Sequence, residues 1–192
     1  MAEDERFLRI VSIGAHDLST PLATVYGFAK TLAKTDLEEP AARYVEMIEA
    51  ASAQLRDLVE ELSLVTRIER GVYSPALTEA DSLELARAAC AELGQRVDVS
   101  GDGAPVRIDQ DATARALSRL AKAASRHGGI DSVTLVVRGP ELDVSPLLKN
   151  AAGVVTGEEL RELGAVAAVE HLRAIGVTVT AEDERLLISF PG

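Results

Sequence analysis

Apolar residues recur at helical spacing from about Asp4 to Arg70. Val11, Ala15, Leu18, Leu22, Val25, Ala29 and Leu32 follow in steps of four and three. Val45, Ile48, Ala51, Leu55, Leu58, Leu62 and Val65 repeat the pattern. Each series is the seam of a long helix packed along its length against other helices. Between them lies a short polar break, Thr35 to Pro40, whose proline suits the first turn of a new helix. So short a connection folds the two helices back as an antiparallel hairpin. A lone hairpin cannot cover both seams, so two copies are expected to pair as a dimeric four-helix bundle. Gly71, followed by Tyr73-Ser74-Pro75, ends the second helix.

Beyond Leu77 the pattern changes to short helices and strands. Helices are expected over Asp81–Leu93, with Asp81 or Ser82 near the cap, over Gln110–Arg126, stopped by Gly128-Gly129, and over Gly157–Ile175, capped by Gly176. Strands are expected at Arg96–Ser100, Val106–Asp109, Ser132–Arg138 and Glu141–Val144. Gly101-Asp102-Gly103 reads as a hairpin turn. A closing hairpin is expected from Val177–Thr180 and Arg185–Phe190, turning near Glu182-Asp183-Glu184. The fold class is therefore α+β: a helical hairpin over residues 1–72, then a small α/β sandwich over 76–192 with helices on one sheet face.

Composition narrows the core and the partners. Hydrophobic residues make up 47% of the 192 positions, yet aromatics only 3%, with no Trp, so Ala, Leu, Val and Ile must build the interior. The formal net charge of −11 argues against a nucleic-acid partner, since phosphate backbones reward clustered Lys and Arg. The single Cys90 excludes an internal disulfide framework, and its place on the apolar side of a helix makes it a packing residue. No apolar run approaches the roughly 18 residues of a membrane span. The first six residues are polar and acidic, unlike a secretory signal. A soluble, cytoplasmic protein is expected. His127 and His171 have no second metal ligand at helical spacing and read as ordinary polar residues.

One segment carries chemistry. In His16-Asp17-Leu18-Ser19-Thr20-Pro21-Leu22, His16 points well away from the centre of the seam, and Thr20 lies one turn later on nearly the same face. Pro21 removes a backbone donor inside the helix and should bend it just after His16. A solvent-facing imidazole is partly neutral near pH 7 and can act as a nucleophile. The neighbouring carboxylate of Asp17 can orient one ring nitrogen and leave the other to attack. An isolated exposed histidine would be an ordinary surface residue.

The surrounding residues, Ile10 to Phe28 with His16, Asp17, Thr20, Pro21 and Leu22 in fixed places, resemble the phosphoacceptor box of sensor histidine kinases. The end of the second helix, Leu62 to Gly71, resembles its counterpart in that family. The resemblance implies a dimeric hairpin bundle whose His16 exchanges phosphoryl groups with receiver-domain aspartates. It implies Asp17 as the acid–base partner and Thr20 as a residue for hydrolysis of a phosphorylated receiver.

The second segment resembles the family's ATP-binding domain in element order. The strand and helix from Val106 to His127 resemble the region of its asparagine box. Arg119 and Ala123 stand at the asparagine positions, and neither can ligate magnesium. The family's Asp-x-Gly-x-Gly string is absent, and its place, Glu141 to Pro146, holds no glycine. Where a glycine-rich phosphate loop belongs, Glu158 to Ala165 contains one glycine and three carboxylates. Acidic groups there would repel a triphosphate.

The leading expectation is thus a histidine phosphotransferase resembling a kinase that has lost its ATP site. It would have no cofactor of its own, with Mg2+ arriving on the receiver, and response-regulator receiver domains and a second copy as partners. Two alternatives stay open: a divergent sensor histidine kinase or phosphatase, and a non-catalytic dimeric docking module for a response regulator.

Overall fold

The two apolar repeats form two helices of 31 residues each, α1 (Ala2–Leu32) and α2 (Glu39–Glu69). The computed structural model describes residues 2–32, 39–93 and 97–191. Most of the expected polar break, residues 33–38, lies outside the described residues, as does Arg96 at the start of one expected strand. Phe28 of α1 and Tyr44 of α2 stack with ring centroids 5.5 Å apart, which brings the connected ends of the hairpin together. Pro21 lies inside α1, and the helix continues through it.

Among the described residues, the buried positions of the hairpin coincide only in part with the expected seam, of which Leu18, Val25 and Leu32 are half-buried. Ile10, Gly14 and Pro21 are buried on α1, whereas Val11 and Leu22 are exposed. On α2, Ala51 and Val65 are buried, Ile48, Leu55, Leu58 and Leu62 are half-buried, and Val45 is exposed. A helix packed against a single neighbour covers only one narrow stripe, so an apolar band wider than that stays in solvent.

The chain divides into two units, Met1–Ser63 and Leu64–Gly192, with the division inside α2. In the second unit the elements run β1 (Thr78–Asp81), α3 (Ser82–Leu93), β2 (Asp98–Gly103), β3 (Pro105–Ile108) and α4 (Gln110–Gly128). There follow β4 (Thr134–Gly139), β5 (Glu141–Ser145), α5 (Lys149–Val155), α6 (Leu163–Ala174), β6 (Thr178–Glu182) and β7 (Arg185–Ser189). Five strands form a sheet in the order β2-β4-β5-β7-β6, parallel only between β2 and β4, and β1 pairs with β3 alone.

Side chains alternate across the sheet. Leu135, Val137, Leu142, Val144, Leu186 and Ile188 lie at most 1% exposed on one face, which makes it the core face. The helical side of the core is built from small residues. Ala116, Ala121, Ala123 and Ala124 of α4 and Ala165, Ala167 and Ala168 of α6 are buried, and small side chains allow these helices to pack closely. α4 packs against α3, α5 and α6. On the other face of β5, Asp143 is buried and pairs with Arg138 and, at 3.2 Å, Arg185.

Caps explain several boundaries. Asp81 Oδ1 accepts the amides of Leu83 and Glu84 at 2.9 and 3.1 Å and starts α3. Asp109 accepts the Ala112 amide to start α4, and Gly129, at φ 68°, ends it. Asp183 and Glu184 both adopt positive φ, as the two-residue turn between β6 and β7 requires.

Two expectations are corrected. Gly101-Asp102-Gly103 is not a turn: it completes β2, with Gly101 opposite Val137 of β4. Gly101 has φ 110°, and a Cβ there would lie 1.9 Å from the Val137 carbonyl oxygen, so glycine permits a close strand approach rather than a reversal. Residues 157–162 are not helical, because Gly157 at φ 77° breaks the chain direction and α6 begins only at Leu163. Two elements carried no expectation, α5 and β1. Each is too short to show a period.

Candidate functional site

His16 is exposed on α1, Asp17 is half-buried and Thr20 is exposed. His16 and Thr20 line one open groove of about 920 Å3 within the hairpin. Its wall continues along α1 through Ala23, Thr24, Gly27, Phe28 and Thr31, with Met47 contributed by α2. The spacing explains the shape: residues 16, 20, 23, 27 and 31 fall on one helix face, and Ala23 and Gly27 keep it shallow. A Cβ added at Gly27 would meet nothing within 4 Å.

The threonines on this wall turn their hydroxyls onto the helix. Thr24 Oγ1 donates to the Thr20 carbonyl at 3.1 Å, and Thr31 Oγ1 donates to the Gly27 carbonyl at 2.9 Å. The His16 imidazole and the Thr20 side chain line the same groove. Asp17 does not line the groove. The groove residues beyond Thr20 were absent from the sequence-based site, although their i+4 spacing from His16 was visible.

In the second unit, Ala123 is fully buried and Arg119 is half-buried on α4. Residues 141–145 form β5 in the sheet centre. Glu162, directly before α6, pairs with His127 Nε2 at 2.9 Å and with Arg126 at 3.1 Å. Its carboxylate does not cap α6. Among the described residues, no group of three His, Cys, Asp or Glu is placed to hold a metal ion.

His171 is not an ordinary surface residue. It is 1% exposed on α6, with Nδ1 2.9 Å from the Tyr73 hydroxyl and Nε2 3.2 Å from Thr113 Oγ1. Its pKa is lowered to about 4, chiefly by burial, with the Asp109 carboxylate opposing the shift and the cations of Arg115 and Arg119 adding to it. The ring is therefore neutral and gives one of its two hydrogen bonds while receiving the other. Burial also raises the Tyr73 pKa, so that hydroxyl keeps its proton. The Arg67 guanidinium lies 5.8 Å above the Tyr73 ring. Asp109 Oδ2 accepts the Ala76 amide at 3.0 Å, giving the 70–77 segment a second anchor. Sequence periodicity places His171 among apolar neighbours of α6 but cannot reveal partners about 60 and 100 positions away. Cys90 packs half-buried against the core, and burial pushes its thiol pKa up.

Residues 8–71 match the family model of the His Kinase A (phospho-acceptor) domain. Comparison with curated proteins found no match. Among solved structures, the chain is similar to the histidine kinase AdeS of Acinetobacter baumannii, at TM-score 0.60 and 14% identity, covering 92% of this chain and 98% of that one. It is similar to full-length ShkA in complex with AMPPNP, at TM-score 0.52 and 18% identity, covering 95% of this chain and 45% of that one. A likeness to the ATP binding domain of PrrB from Mycobacterium tuberculosis has TM-score 0.48 and 22% identity, covering 61% of this chain and 98% of that one. Residues 8–71 thus match a His Kinase A phospho-acceptor domain, and the chain has a histidine-kinase-like fold. No helix among the described residues is long and apolar enough to cross a membrane.

Proposed function

We propose that this chain is a histidine phosphotransferase that relays phosphoryl groups between His16 and receiver-domain aspartates without using ATP. The observation that carries this reading is the exposed His16 beside an open groove, within the segment that matches a phospho-acceptor domain. A ring nitrogen of His16 attacks the phosphorus of a receiver's aspartyl phosphate. The N–P bond forms as the bond to the aspartate oxygen breaks, and the aspartate leaves as carboxylate. Asp17 takes up the proton on the other ring nitrogen, and the second receiver reverses the step. Mg2+ arrives on the receiver, where it offsets the charge of the transferring group. The groove along Ala23, Gly27 and Phe28 gives the partner's side chains a seat next to the reactive ring.

The second unit supports a relay without ATP. The helix position expected to help hold magnesium is the buried Ala123, and the approach to α6 carries the Glu162 carboxylate, paired with Arg126 and His127. Ala123 offers magnesium no ligand, and a carboxylate before α6 opposes a triphosphate. A dimer is part of the proposal. Leu22, Tyr26 and Val59 stand 58%, 66% and 55% exposed on the hairpin, an apolar surface that a second hairpin would cover.

The test mixes the protein with a radiolabelled phosphorylated receiver in ATP-free buffer. Label is expected on the wild type and not on His16→Ala. Receivers that keep their label on a stable complex with both proteins would instead make the chain a docking module, which the apolar groove alone would serve. Nucleotide binding with autophosphorylation would make it a divergent kinase. Sedimentation of a dilute, folded monomer would remove the dimer.

A further inference from the structure

The sheet of the second unit ends in β6, which among the described residues pairs only with β7. Glu182 stands opposite Arg185 across the turn Asp183-Glu184, and Thr180 and Thr178 stand opposite Leu187 and Ser189. A two-residue turn closes on a hydrogen-bonded pair, and such pairs alternate along an antiparallel ladder. Thr178, Thr180 and Glu182 therefore turn their N–H and C=O groups to β7, while Val179 and Ala181 turn theirs outward. That outward row is a template for a further strand. It borders a groove of about 430 Å3, lined by residues 179–182 on one side and by Ala152, Thr156, Glu158 and Arg173 on the other. Val179, buried opposite Ile188, sets the core face of β6. Ala181 shares that face, and Thr180 and Glu182 take the opposite one. The cations nearby are already held. Arg173 lies 3.2 Å from Glu170 and donates to the Thr156 carbonyl at 2.8 Å, and Arg185 reaches Asp143 at 3.2 Å. Glu158 and Glu182 are exposed, with Asp183 and Glu184 next on the turn.

From this we infer that β6 takes up an extended, cationic segment of a partner protein as an added strand. The segment's backbone pairs with the N–H and C=O groups of Val179 and Ala181, which supply the affinity. Alternate side chains enter the groove, where Ala152, Val179 and Ala181 suit apolar groups. The side chains between them lie beside Thr180 and Glu182, where a Lys or Arg meets the carboxylate. An edge carboxylate blunts the strand against acidic or neutral partners and admits a basic one. A second copy offers no Lys or Arg from its own β6 and leaves these carboxylates without a counter-charge. The inference is independent of the relay at His16.

The experiment measures binding of a fluorescein-labelled octapeptide of alternating Lys and Val to the full chain by fluorescence polarisation. Saturable binding below about 1 mM is expected, and its absence overturns the inference. With peptide bound, the Val179 and Ala181 amides should exchange with deuterium at least about tenfold more slowly. Slowing confined to β2, the other edge of the sheet, or to no strand at all, overturns it. The same peptide N-methylated throughout its backbone keeps its charges and should lose binding, whereas retained binding means that charge alone is read and the strand falls. An octapeptide of alternating Glu and Val should bind at least about tenfold more weakly, and equal binding overturns the cationic partner. Glu158→Lys/Glu182→Lys should weaken the Lys-Val peptide about tenfold at low salt. Ala181→Pro removes an outward N–H that no ladder bond uses, and should weaken it about tenfold with the melting temperature unchanged. Wild-type affinity in both variants overturns the site. Self-association that Ala181→Pro abolishes, with no peptide bound, gives the edge to a second copy and overturns the inference.

Discussion

Acid should destabilise the second unit through His171, and the size of the effect follows from where the ring sits. The folded ring titrates near 4 instead of 6.5 because it is buried between Tyr73 and Thr113. As pH falls through 6.5, the unfolded chain takes up a proton that the folded chain refuses until about pH 4. Across that window the unfolded state binds more protons, so stability falls with falling pH, by up to about 1.4 kcal/mol per pH unit. Over a gap of roughly 2.5 pH units, the loss attributable to this one ring approaches about 3 kcal/mol. His171→Gln keeps a polar side chain but cannot titrate. Urea unfolding followed by circular dichroism, at steps from about pH 7 to about pH 4.5, gives stability for both proteins, and their difference cancels the carboxylates common to both. The variant should start less stable at neutral pH and converge on the wild type as the medium is acidified. Two curves that stay parallel across the window would refute the reasoning, since a ring that titrates alike in both states contributes no slope.

Three further outcomes are expected. Asp109→Ala removes the α4 cap and the anchor on the Ala76 amide together, and should lower stability by about 2 kcal/mol in a thermal melt. Asn, which keeps an acceptor oxygen, should recover part of that loss. Gly101→Ala forces a side chain onto the Val137 carbonyl at φ 110°, and should cost at least about 2 kcal/mol, read from the shift in urea midpoint. Ala at the exposed, open Gly27 serves as its control. Cys90 should react slowly with iodoacetamide in the folded protein near neutral pH and promptly in denaturant, because burial both shields the thiol and raises its pKa. Equal rates would show that the thiol is not packed.

Local chemistry was enough to read much of this molecule. The apolar repeats of α1 and α2, the Asp81 and Asp109 starts of α3 and α4, and the Glu182-Asp183-Glu184 reversal all follow from interactions within a few residues. The reactive segment from His16 to Leu22 is equally local, and its exposed face follows from helical periodicity. What failed locally depended on distant neighbours. Gly101-Asp102-Gly103 looks like a turn until β4 is laid beside it in parallel, since only a close strand gives those glycines a role. The heptad positions promised one seam, but which stripe is buried depends on the helix that meets it, and Ile10, Gly14 and Pro21 are buried where Val11 and Leu22 are exposed. His171 sits among apolar neighbours of α6, but nothing near it in the sequence names its partners. Its partners, Tyr73 and Thr113, come from a connecting segment and another helix. The sequence by itself determined the longer elements and the residue types around His16, because helix periods, caps and turns are short-range effects. Only the tertiary structure decided which polar groups lie buried together and which glycines admit a neighbouring strand, because burial belongs to pairs of surfaces and not to any one segment.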